Sequence, residues 1–545
     1  MFTAGGSVTN KAGGVIQGIA QNDAGYDSNT GAGIYAFAST SLVTIINEAG
    51  ATIQGVGTDS WGIHTGITPT NITNFGLISG TVNAINVNGG GTFINEASAS
   101  ITSTTFEPLA VTNGTENIIN FGTISSSFGG IGFGPPGGGG SVTNNAGGVI
   151  SGTGPNSFGI ASGATNQSVT VINSGVISGS SGIDLGTGGG SITNNATGSI
   201  TGGTGSAVSL ASSSTATIVN SGTISSASGN AIQFLGGGDG SVTNNPGGVL
   251  AGGSSQSAIL SGTGQISISN AGTINGAVSL GNGSNTVTLI TGGSINGDLN
   301  LGSNATSSLV LDGSGQQALS LAVTGSITNS GSLTKQGTGT WIIDENLSAP
   351  VAASVDAGIL KVNQTLTTPT LTVNAGATLG GAGLITGNVI NNGGTVAPGD
   401  PQTLTIGGDY TQEAGGNLQI DIEGTGPSAY DILLVTGKVT LLAGLELTLD
   451  FLNGFVPVAG DTFDFLQAGG GLTGGFSQVV VEGLTNGLQY LLQSDGSNGY
   501  ELVTTTPSVP DGGNTLTMLV IGVCALIGAK CILQASRQRR GQPSC

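Results

Sequence analysis

The chain has 545 residues, of which 104 are glycine, and only 7% of its residues are charged. A hydrophobic content of 37% is too high for an intrinsically disordered chain, which combines low hydrophobicity with high charge. Glycine without a three-residue period, together with only 15 prolines, excludes collagen. The abundance of Gly, Asn, Ser, Thr, Val and Ile predicts many short strands joined by tight turns.

Charge is distributed unevenly along the sequence. Residues 1–510 contain 27 acidic and 4 basic residues, whereas residues 511–545 contain one acidic and four basic residues. An acidic body repels phosphates, so no nucleic acid is expected as a partner. Because all three cysteines (Cys524, Cys531 and Cys545) lie in the tail, the body has no thiolate for a disulfide, a metal site or catalysis.

An asparagine-containing unit recurs through residues 1–280. Nine steps separate Asn47 from Asn270, 223 residues later, which gives a mean repeat near 25 residues. Long units such as 141–152 alternate with short units such as 170–179, so the larger period is about 50 residues. The anchor asparagines of these units are Asn10, Asn47, Asn74, Asn95, Asn120, Asn144, Asn173, Asn194, Asn220, Asn244 and Asn270.

The repeat predicts an all-β fold. Each unit contains three short strands, and a unit this small does not bury its apolar side chains alone. Stacking units at roughly 4.8 Å gives parallel sheets around one narrow core, most simply a right-handed parallel β-helix (β-solenoid) of about 20 rungs. The anchor asparagines suit tight corners and can form a hydrogen-bonded ladder between rungs. A ligand-binding role for these asparagines is the alternative.

Residues 281–505 are expected to form a second section. Period-two alternation in residues 418–423 and 445–450 places aliphatic side chains inward and acidic side chains outward. The section is either sandwich-like or a capping continuation of the solenoid. Residues 281–289 are similar to a calcium-binding nonapeptide, but asparagine stands where the ligand aspartate is required. Neither a metal nor a cofactor is therefore expected.

Several segments of this second section carry a family resemblance. Residues 335–341, 373–379, 387–399 and 404–410 resemble the β-strand repeats of autotransporter passengers. Such passengers are exported β-helices and frequently adhesins. The resemblance therefore implies an autotransporter-associated β-strand region and a position outside the cytoplasm.

The tail, residues 506–545, has three parts: a short motif, an apolar run and a basic end. Their order is similar to the VPDSG-CTERM sorting signals, relatives of the PEP-CTERM signals of bacteria that carry an exosortase. The resemblance implies that an exosortase-type membrane enzyme processes the chain, although Gly512 replaces the usual serine. The implied recognition motif is Val509, Pro510, Asp511, Gly512 and Gly513, and the basic residues that follow the apolar run are Arg537, Arg539 and Arg540.

The apolar run Leu516–Leu533 is 18 residues long, or about 27 Å as a helix, near the minimum for a transmembrane span. The basic residues after it are expected to stay cytoplasmic, which leaves residues 1–510 outside. A buried core helix is the alternative. An outward-facing body needs an entry signal, yet residues 1–5 lack a basic start and an apolar run. We therefore expect the start to be truncated or misassigned within a repeat.

Few residues suggest catalysis. The single histidine, His64, occupies the slot that Asn86, Asp184 and Gln233 fill in sister units. We expect it to be an outward, solvent-exposed side chain, because no catalytic triad is indicated.

Two pairs of acids are candidates for glycosidase carboxylates. Asp421 with Glu423, and Asp461 with Asp464, are the closest pairs in sequence. The first pair lies on the expected solvent face of an alternating strand, where solubility alone accounts for it.

The sequence thus predicts a non-enzymatic structural or adhesive β-helix at the bacterial cell surface or in the extracellular matrix, held in the membrane by its tail before processing. Surface polysaccharide or other cells are the expected partners. A polysaccharide-binding or polysaccharide-cleaving β-helix is the alternative, and aromatic and acidic residues grouped on one face would favour it. The spacing of the 23 aromatic residues (15 Phe, 6 Tyr and 2 Trp) shows no such group.

Overall fold

A computed structural model describes residues 4–20, 31–37, 40–135, 137–163, 167–211, 215–399, 402–442, 444–484, 488–494 and 498–506. These residues form 61 strands and one four-residue helix, Leu319–Ala322. No helix within these ranges has the length and apolar character needed to cross a membrane. The predicted transmembrane helix, the sorting motif and the basic end lie outside the described residues.

The chain winds through three parallel sheets in turn, and we call one such circuit a coil. Sheet 1 runs along nearly the whole length of the described solenoid and contains 20 strands. Its strands are Gly6–Asn10, Val43–Asn47, Thr70–Asn74, Gly91–Asn95, Thr115–Asn120, Gly139–Asn144, Val169–Asn173, Gly190–Asn194, Ala216–Asn220, Gly240–Asn244, Ile266–Asn270, Thr286–Ile290, Ser308–Asp312, Ser332–Lys335, Ala352–Val355, Thr370–Asn374, Asn388–Asn392, Tyr410–Gln412, Val439–Leu441 and Leu472–Gly474.

Sheets 2 and 3 complete the coils of the N-terminal part, with 12 and 13 strands. Sheet 2 consists of Val15–Ile19, Thr52–Val56, Leu77–Gly80, Ser100–Ser103, Thr123–Ser126, Val149–Gly152, Val176–Gly179, Ser199–Gly202, Thr223–Ser226, Val249–Ala251, Thr273–Asn275 and Ser294–Asn296. Sheet 3 consists of Ile34–Ala36, Ile63–Thr65, Ile85–Val87, Leu109–Val111, Gly129–Phe133, Phe158–Ser162, Ser181–Leu185, Val208–Leu210, Ile232–Phe234, Ile259–Ser261, Val278–Ser279, Leu299–Asn300 and Ile327–Thr328.

Sheets 4 and 5, of eight strands each, replace sheets 2 and 3 in the C-terminal part. Sheet 4 consists of Gln316–Ala318, Thr340–Ile343, Gly358–Val362, Ala377–Gly381, Thr395–Pro398, Asn417–Ile422, Glu446–Phe451 and Gln478–Glu482. Sheet 5 consists of Leu347–Ser348, Thr365–Thr367, Leu384–Ile385, Thr403–Ile406, Ile432–Val435, Thr462–Ala468, Gln489–Ser494 and Tyr500–Thr505.

The parallel stacking continues unbroken through the change of sheets. Ser308–Asp312 pairs in parallel with Ser332–Lys335 in sheet 1, so residues beyond 281 extend the solenoid and do not form a separate sandwich. At the C-terminal end, Tyr500–Thr505 pairs antiparallel with both Thr462–Ala468 and Gln489–Ser494. This antiparallel hairpin terminates the parallel stacking of sheet 5.

One narrow core fills the solenoid from end to end. Alternate side chains of each strand point inward, and those of consecutive coils lie in register. In sheet 2 the inward position is isoleucine or leucine in coil after coil, and these side chains are fully buried from Ile53 to Ile295. These stacked parallel sheets and their shared core confirm the predicted all-β, β-helix-like solenoid. Each coil buries its apolar side chains against the coils next to it.

Candidate functional site

The anchor asparagines form a continuous column inside the solenoid. Each of the eleven ends a strand of sheet 1. The Nδ2 of each anchor donates to Oδ1 of the anchor in the next coil, at 2.8–2.9 Å, from Asn10 through to Asn270. We call this column the asparagine ladder. The predicted ladder is confirmed.

The ladder also closes the corner between sheets 1 and 2. Asn120 Nδ2, for example, donates to the carbonyl oxygen of Gly122 in its own coil and of Val149 in the next. At the C-terminal end of the ladder, Asn270 Nδ2 donates to the carbonyl oxygen of Ser294. The ten anchors after Asn10 are fully buried. Buried amides bonded to other amides and to backbone carbonyls have a structural role, which disfavours the ligand-binding alternative.

A lysine takes over this corner three coils beyond the end of the ladder. Lys335 lies in the same column of sheet 1 as the anchors and is fully buried. Its Nζ donates to the carbonyl oxygens of Gln336, Gly337 and Ala357 at 2.7, 2.9 and 2.9 Å. Burial lowers the pKa of Lys335, and the nearby carboxylate of Asp312 opposes that shift. At this corner the ammonium group of Lys335 provides three hydrogen-bond donors, whereas in the ladder the side-chain amide of an anchor asparagine is the donor.

A buried carboxyl group in sheet 1 is not singled out by the sequence pattern. Glu116 is fully buried in sheet 1, in register with Gly91 and Gly140 of the neighbouring coils. Neither of its carboxyl oxygens has a hydrogen-bond partner. Burial raises the pKa of Glu116 to about 8, so the carboxyl is mainly protonated at neutral pH.

His64 occupies the slot that the sequence predicts, but it is not fully exposed. Its ring is half-buried between Tyr35 and Trp61, with ring centroids 5.4 and 5.0 Å away. Burial lowers its pKa. The prediction of a solvent-exposed side chain is therefore wrong, because aromatic side chains cover the ring. Following the register of sheet 3, the slot continues through Asn86, Ala110, Gly132, Ala161, Asp184, Ser209 and Gln233.

The first acid pair lies on the outer face of sheet 4. Asp421 is in register with Asp450 of the next coil, which in turn is in register with Glu482. Burial, and then the charge of Glu482, raise the pKa of Asp450. The predicted outward orientation of Asp421 agrees with the half-buried pattern of its strand, and Glu423 follows directly after that strand.

The second acid pair is divided between a turn and a strand. Asp461 Oδ2 accepts a hydrogen bond from the backbone N–H of Val458 at 2.8 Å, which fixes a turn before Thr462–Ala468. Asp464 Oδ2 accepts a hydrogen bond from Gln467 Nε2 at 2.9 Å. Both carboxylates thus have local structural partners. Within the described ranges, no three His, Cys, Asp or Glu side chains are grouped so that they could hold a metal ion.

Folding groups aromatic side chains that are scattered in the sequence. Phe106 and Phe128 lie between sheets 2 and 3 in consecutive coils, and Phe158 begins the sheet 3 strand of the next coil, with ring centroids 5.6 and 5.5 Å apart. We call these three residues the aromatic ridge. Trp61 lies along the same edge of sheet 3, two coils before the ridge begins. The expectation that aromatic residues do not group was wrong, because loop lengths differ between coils and hide the alignment.

Residues one and two coils before the ridge carry polar atoms without a hydrogen-bond partner. Trp61 Nε1, His64 Nδ1 and Asn86 Oδ1 are buried and have no hydrogen-bond partner. Glu107 lies over the sheet, and burial raises the pKa of its carboxyl group. Aligning the coils on the inward isoleucine of sheet 3 would have revealed this grouping. No protein-family model matches the chain, and no curated protein matches it either.

Proposed function

We propose that this chain is an exported structural or adhesive β-helix of the bacterial cell surface or extracellular matrix. The stack of 20 strands in sheet 1 is the observation that supports the proposal most. At roughly 4.8 Å per strand, such a stack is on the order of 90 Å long. A solenoid of this length offers a long, regular outer surface from a single chain.

Two further properties are compatible with folding outside the cytoplasm. The body has no cysteine before Cys524, so it folds without an oxidant. Its corner between sheets 1 and 2 is held by the asparagine ladder, which needs neither a metal nor a cofactor.

We also infer that the coils wind right-handedly, since the right-handed crossover is strongly preferred between parallel strands.

We assign sorting and temporary membrane anchoring to the tail. We infer that Leu516–Leu533 spans the inner membrane during export, with Arg537, Arg539 and Arg540 on the cytoplasmic side. An exosortase-type enzyme then recognises Val509-Pro510-Asp511-Gly512-Gly513 just outside the bilayer. The body is released or attached at the surface.

Antibody labelling of intact cells tests the proposal. An antibody to the body, residues 4–506, should label unpermeabilised cells or the surrounding matrix. A cytoplasmic protein serves as the control for cell lysis. Labelling seen only after permeabilisation would contradict the proposal.

One observation favours the polysaccharide-binding alternative, the exposed Phe106 and Phe128 side chains of the aromatic ridge. It is compatible with a surface role, because an adhesive protein needs a ligand. Polysaccharide cleavage gains no comparable support from the acid pairs, whose positions are accounted for by an outer sheet face and by a turn.

A further inference from the structure

The outer face of sheet 2 carries an unbroken row of hydroxyl groups. In seven consecutive coils, the second outward residue of the strand is serine or threonine, and parallel pairing places these residues in register. Each of them is partly exposed, so the row faces solvent. We call these residues the hydroxyl row: Ser79, Thr102, Ser125, Ser151, Ser178, Thr201 and Ser225.

A second outward column runs beside the hydroxyl row, two residues earlier in each strand. It lies about 6.6 Å from the row, which is twice the rise per residue of a parallel strand. None of the 12 strands of sheet 2 contains a charged residue, although residues 1–510 contain 27 acidic residues. In these seven coils the face is therefore neutral. The second column consists of Leu77, Ser100, Thr123, Val149, Val176, Ser199 and Thr223.

The hydroxyl row is not bonded to the protein itself. Within the part of the chain that the structure describes, none of its seven hydroxyl groups forms a hydrogen bond. Spacing explains this, because neighbouring strands are roughly 4.8 Å apart and a bond between two hydroxyl groups requires about 2.8 Å. One water molecule between two successive hydroxyl groups can bond to both. The row thus positions a line of water molecules along the solenoid axis.

The interior of the solenoid fixes the register of this face. A fully buried isoleucine lies between the two columns in each of the seven strands, for example Ile124 and Ile200. The asparagine ladder closes the adjoining corner. Side-chain ladders stabilise flat sheets against the usual twist. The row accordingly repeats through all seven coils without a register shift.

We propose that the outer face of sheet 2 binds ice. In ice each oxygen forms tetrahedral hydrogen bonds of about 2.75 Å, which places oxygens two bonds apart about 4.5 Å from each other. The strand repeat exceeds this distance by about 0.3 Å, or roughly 2 Å over the six steps of the row, which is less than half a repeat. Water bound to the row therefore fits the lattice, and the apolar side chains of Val149 and Val176 impose no competing hydrogen bonds.

A second copy of this chain fits the face less well. Over seven coils the two columns cover about 30 Å by 10 Å, which is well below the roughly 800 Å² per partner of a stable interface. Such a contact would also bury hydroxyl groups without partners, which is unfavourable. Ice has no such cost, because its surface supplies both donors and acceptors.

The outer face of sheet 1 is a weaker candidate, because the protein uses part of its polar groups. Ser141 Oγ donates to Asn117 Oδ1 at 2.8 Å. Ser191 Oγ donates to Thr170 Oγ1 at 3.3 Å. Isoleucine or valine also alternates with threonine in one of its outward columns. Variants on the two faces distinguish them.

Ice recrystallisation and partition into ice test the proposal on the purified full chain. We expect the protein to keep ice grains small at micromolar concentration and to enter a slowly growing ice front. An acidic globular protein at the same concentration, which should do neither, is the control. Ice binding goes beyond the proposed structural or adhesive role, and the use of purified protein lets the two proposals fail separately.

Three threonine variants locate the site. Thr201→Lys places a long, charged side chain in the hydroxyl row, and we expect it to lose most of the activity. Thr201→Ser keeps the hydroxyl group and should retain the activity. Thr378→Lys, at a half-buried position on the outer face of sheet 4, is the matched control and should change nothing. Circular dichroism and urea unfolding check that each variant is folded.

Several outcomes would overturn the proposal. One is that the protein neither inhibits recrystallisation nor enters ice, and another is equal loss of activity in Thr378→Lys. Loss of activity in Thr193→Lys, on the outer face of sheet 1, together with full activity of Thr201→Lys would assign ice binding to the other sheet. A dimer in sedimentation analysis that Thr201→Lys dissociates would assign the face to self-association. Surface labelling of cells that persists in any of these cases would leave the proposed function intact.

Discussion

Asn120 Nδ2 lies 2.8 Å from Asn144 Oδ1 in the next coil. The same bond repeats along eleven coils, so that each carboxamide is donor to one neighbour and acceptor from the other. Since every bond points in the same direction along the axis, the ladder couples each coil to the next. The ladder thus holds the corner between sheets 1 and 2 in every coil from Asn10 to Asn270.

Removing one carboxamide should therefore destabilise the solenoid. Asn144→Ala removes the donor to Asn173 Oδ1 and the acceptor of Asn120 Nδ2. It also removes the side-chain donor to the carbonyl oxygens of Gly148 and Val176. We expect a loss of about 2–3 kcal/mol in the free energy of unfolding, because the orphaned groups are buried. Urea unfolding followed by circular dichroism measures the loss.

The adjacent residue provides the control for this variant. Asn145 follows the anchor directly, and its side chain is half-buried at the surface. Asn145→Ala should change the unfolding midpoint only slightly. Equal effects of the two variants would show that the ladder has no special role in stability.

Lys335 should tolerate replacement as poorly as a ladder asparagine. Lys335→Met keeps the length of the side chain but removes the three hydrogen bonds to backbone carbonyls. We expect a destabilisation on the order of 2–3 kcal/mol in urea unfolding. Lys361→Met, at a half-buried position of sheet 4, is the control and should have a small effect. A stable, unaffected Lys335→Met protein would refute the structural role of the ammonium.

Glu116 should make stability depend on pH. Its pKa is about 8 in the folded chain, above the ordinary value of 4.5 for the unfolded chain. The folded state thus holds a proton that the unfolded state releases, so the contribution of this group to stability is present below pH 4.5 and is lost as the pH rises to 8.

Glu116→Gln should remove this dependence, because the amide is uncharged at every pH. Relative to the original chain, we expect the variant to be more stable by roughly 4–5 kcal/mol at pH 8–9, with little difference at pH 4–5. Urea unfolding of both proteins at pH 5, 7 and 9 measures the difference. A constant difference across this range would mean that Glu116 does not titrate within it.

Folding should tolerate the deletion of complete coils better than a shorter deletion that removes only part of a coil. Removing residues 145–194 takes out two complete coils and lets the chain resume at Asn195, as it did at Asn145. We expect this shortened protein to fold, since each coil contacts only its neighbours. Removing residues 145–156 takes out one strand of sheet 2 and should prevent folding, because the following strands lose their register. Unfolding in both cases would contradict a coil boundary at the anchor asparagines.

The sequence predicted the strands of the repeats well for a clear physical reason. The anchor asparagine recurs because each coil needs the same corner, so Asn47 and Asn270 could be aligned without a structure. Lys335 could not be placed in the same column, because its chemistry differs and its partners are backbone carbonyls set by the fold. Glu116 likewise showed no sign of burial, since its neighbours Gly91 and Gly140 lie in other coils.

The aromatic ridge shows a second reason for failure. Phe106, Phe128 and Phe158 are separated by 22 and 30 residues, which hides their alignment when the sequence is scanned at a fixed period. The variation lies in the connections between all three sheets, whereas the strands of sheet 3 keep their register. Surface features of a solenoid therefore become visible only after each coil has been aligned on its inward residues.

Mass spectrometry of the protein recovered from intact cell envelopes and from the medium tests the central claim most directly. Glu-C digestion suits a body with so few basic residues. We expect body peptides, such as those around Glu446 and Glu482, outside the cytoplasm, with the chain ending near Asp511. Peptides that extend from Gln538 to Cys545 on most molecules recovered there would contradict processing of the tail, and recovery of the body only from the cytoplasm would contradict export.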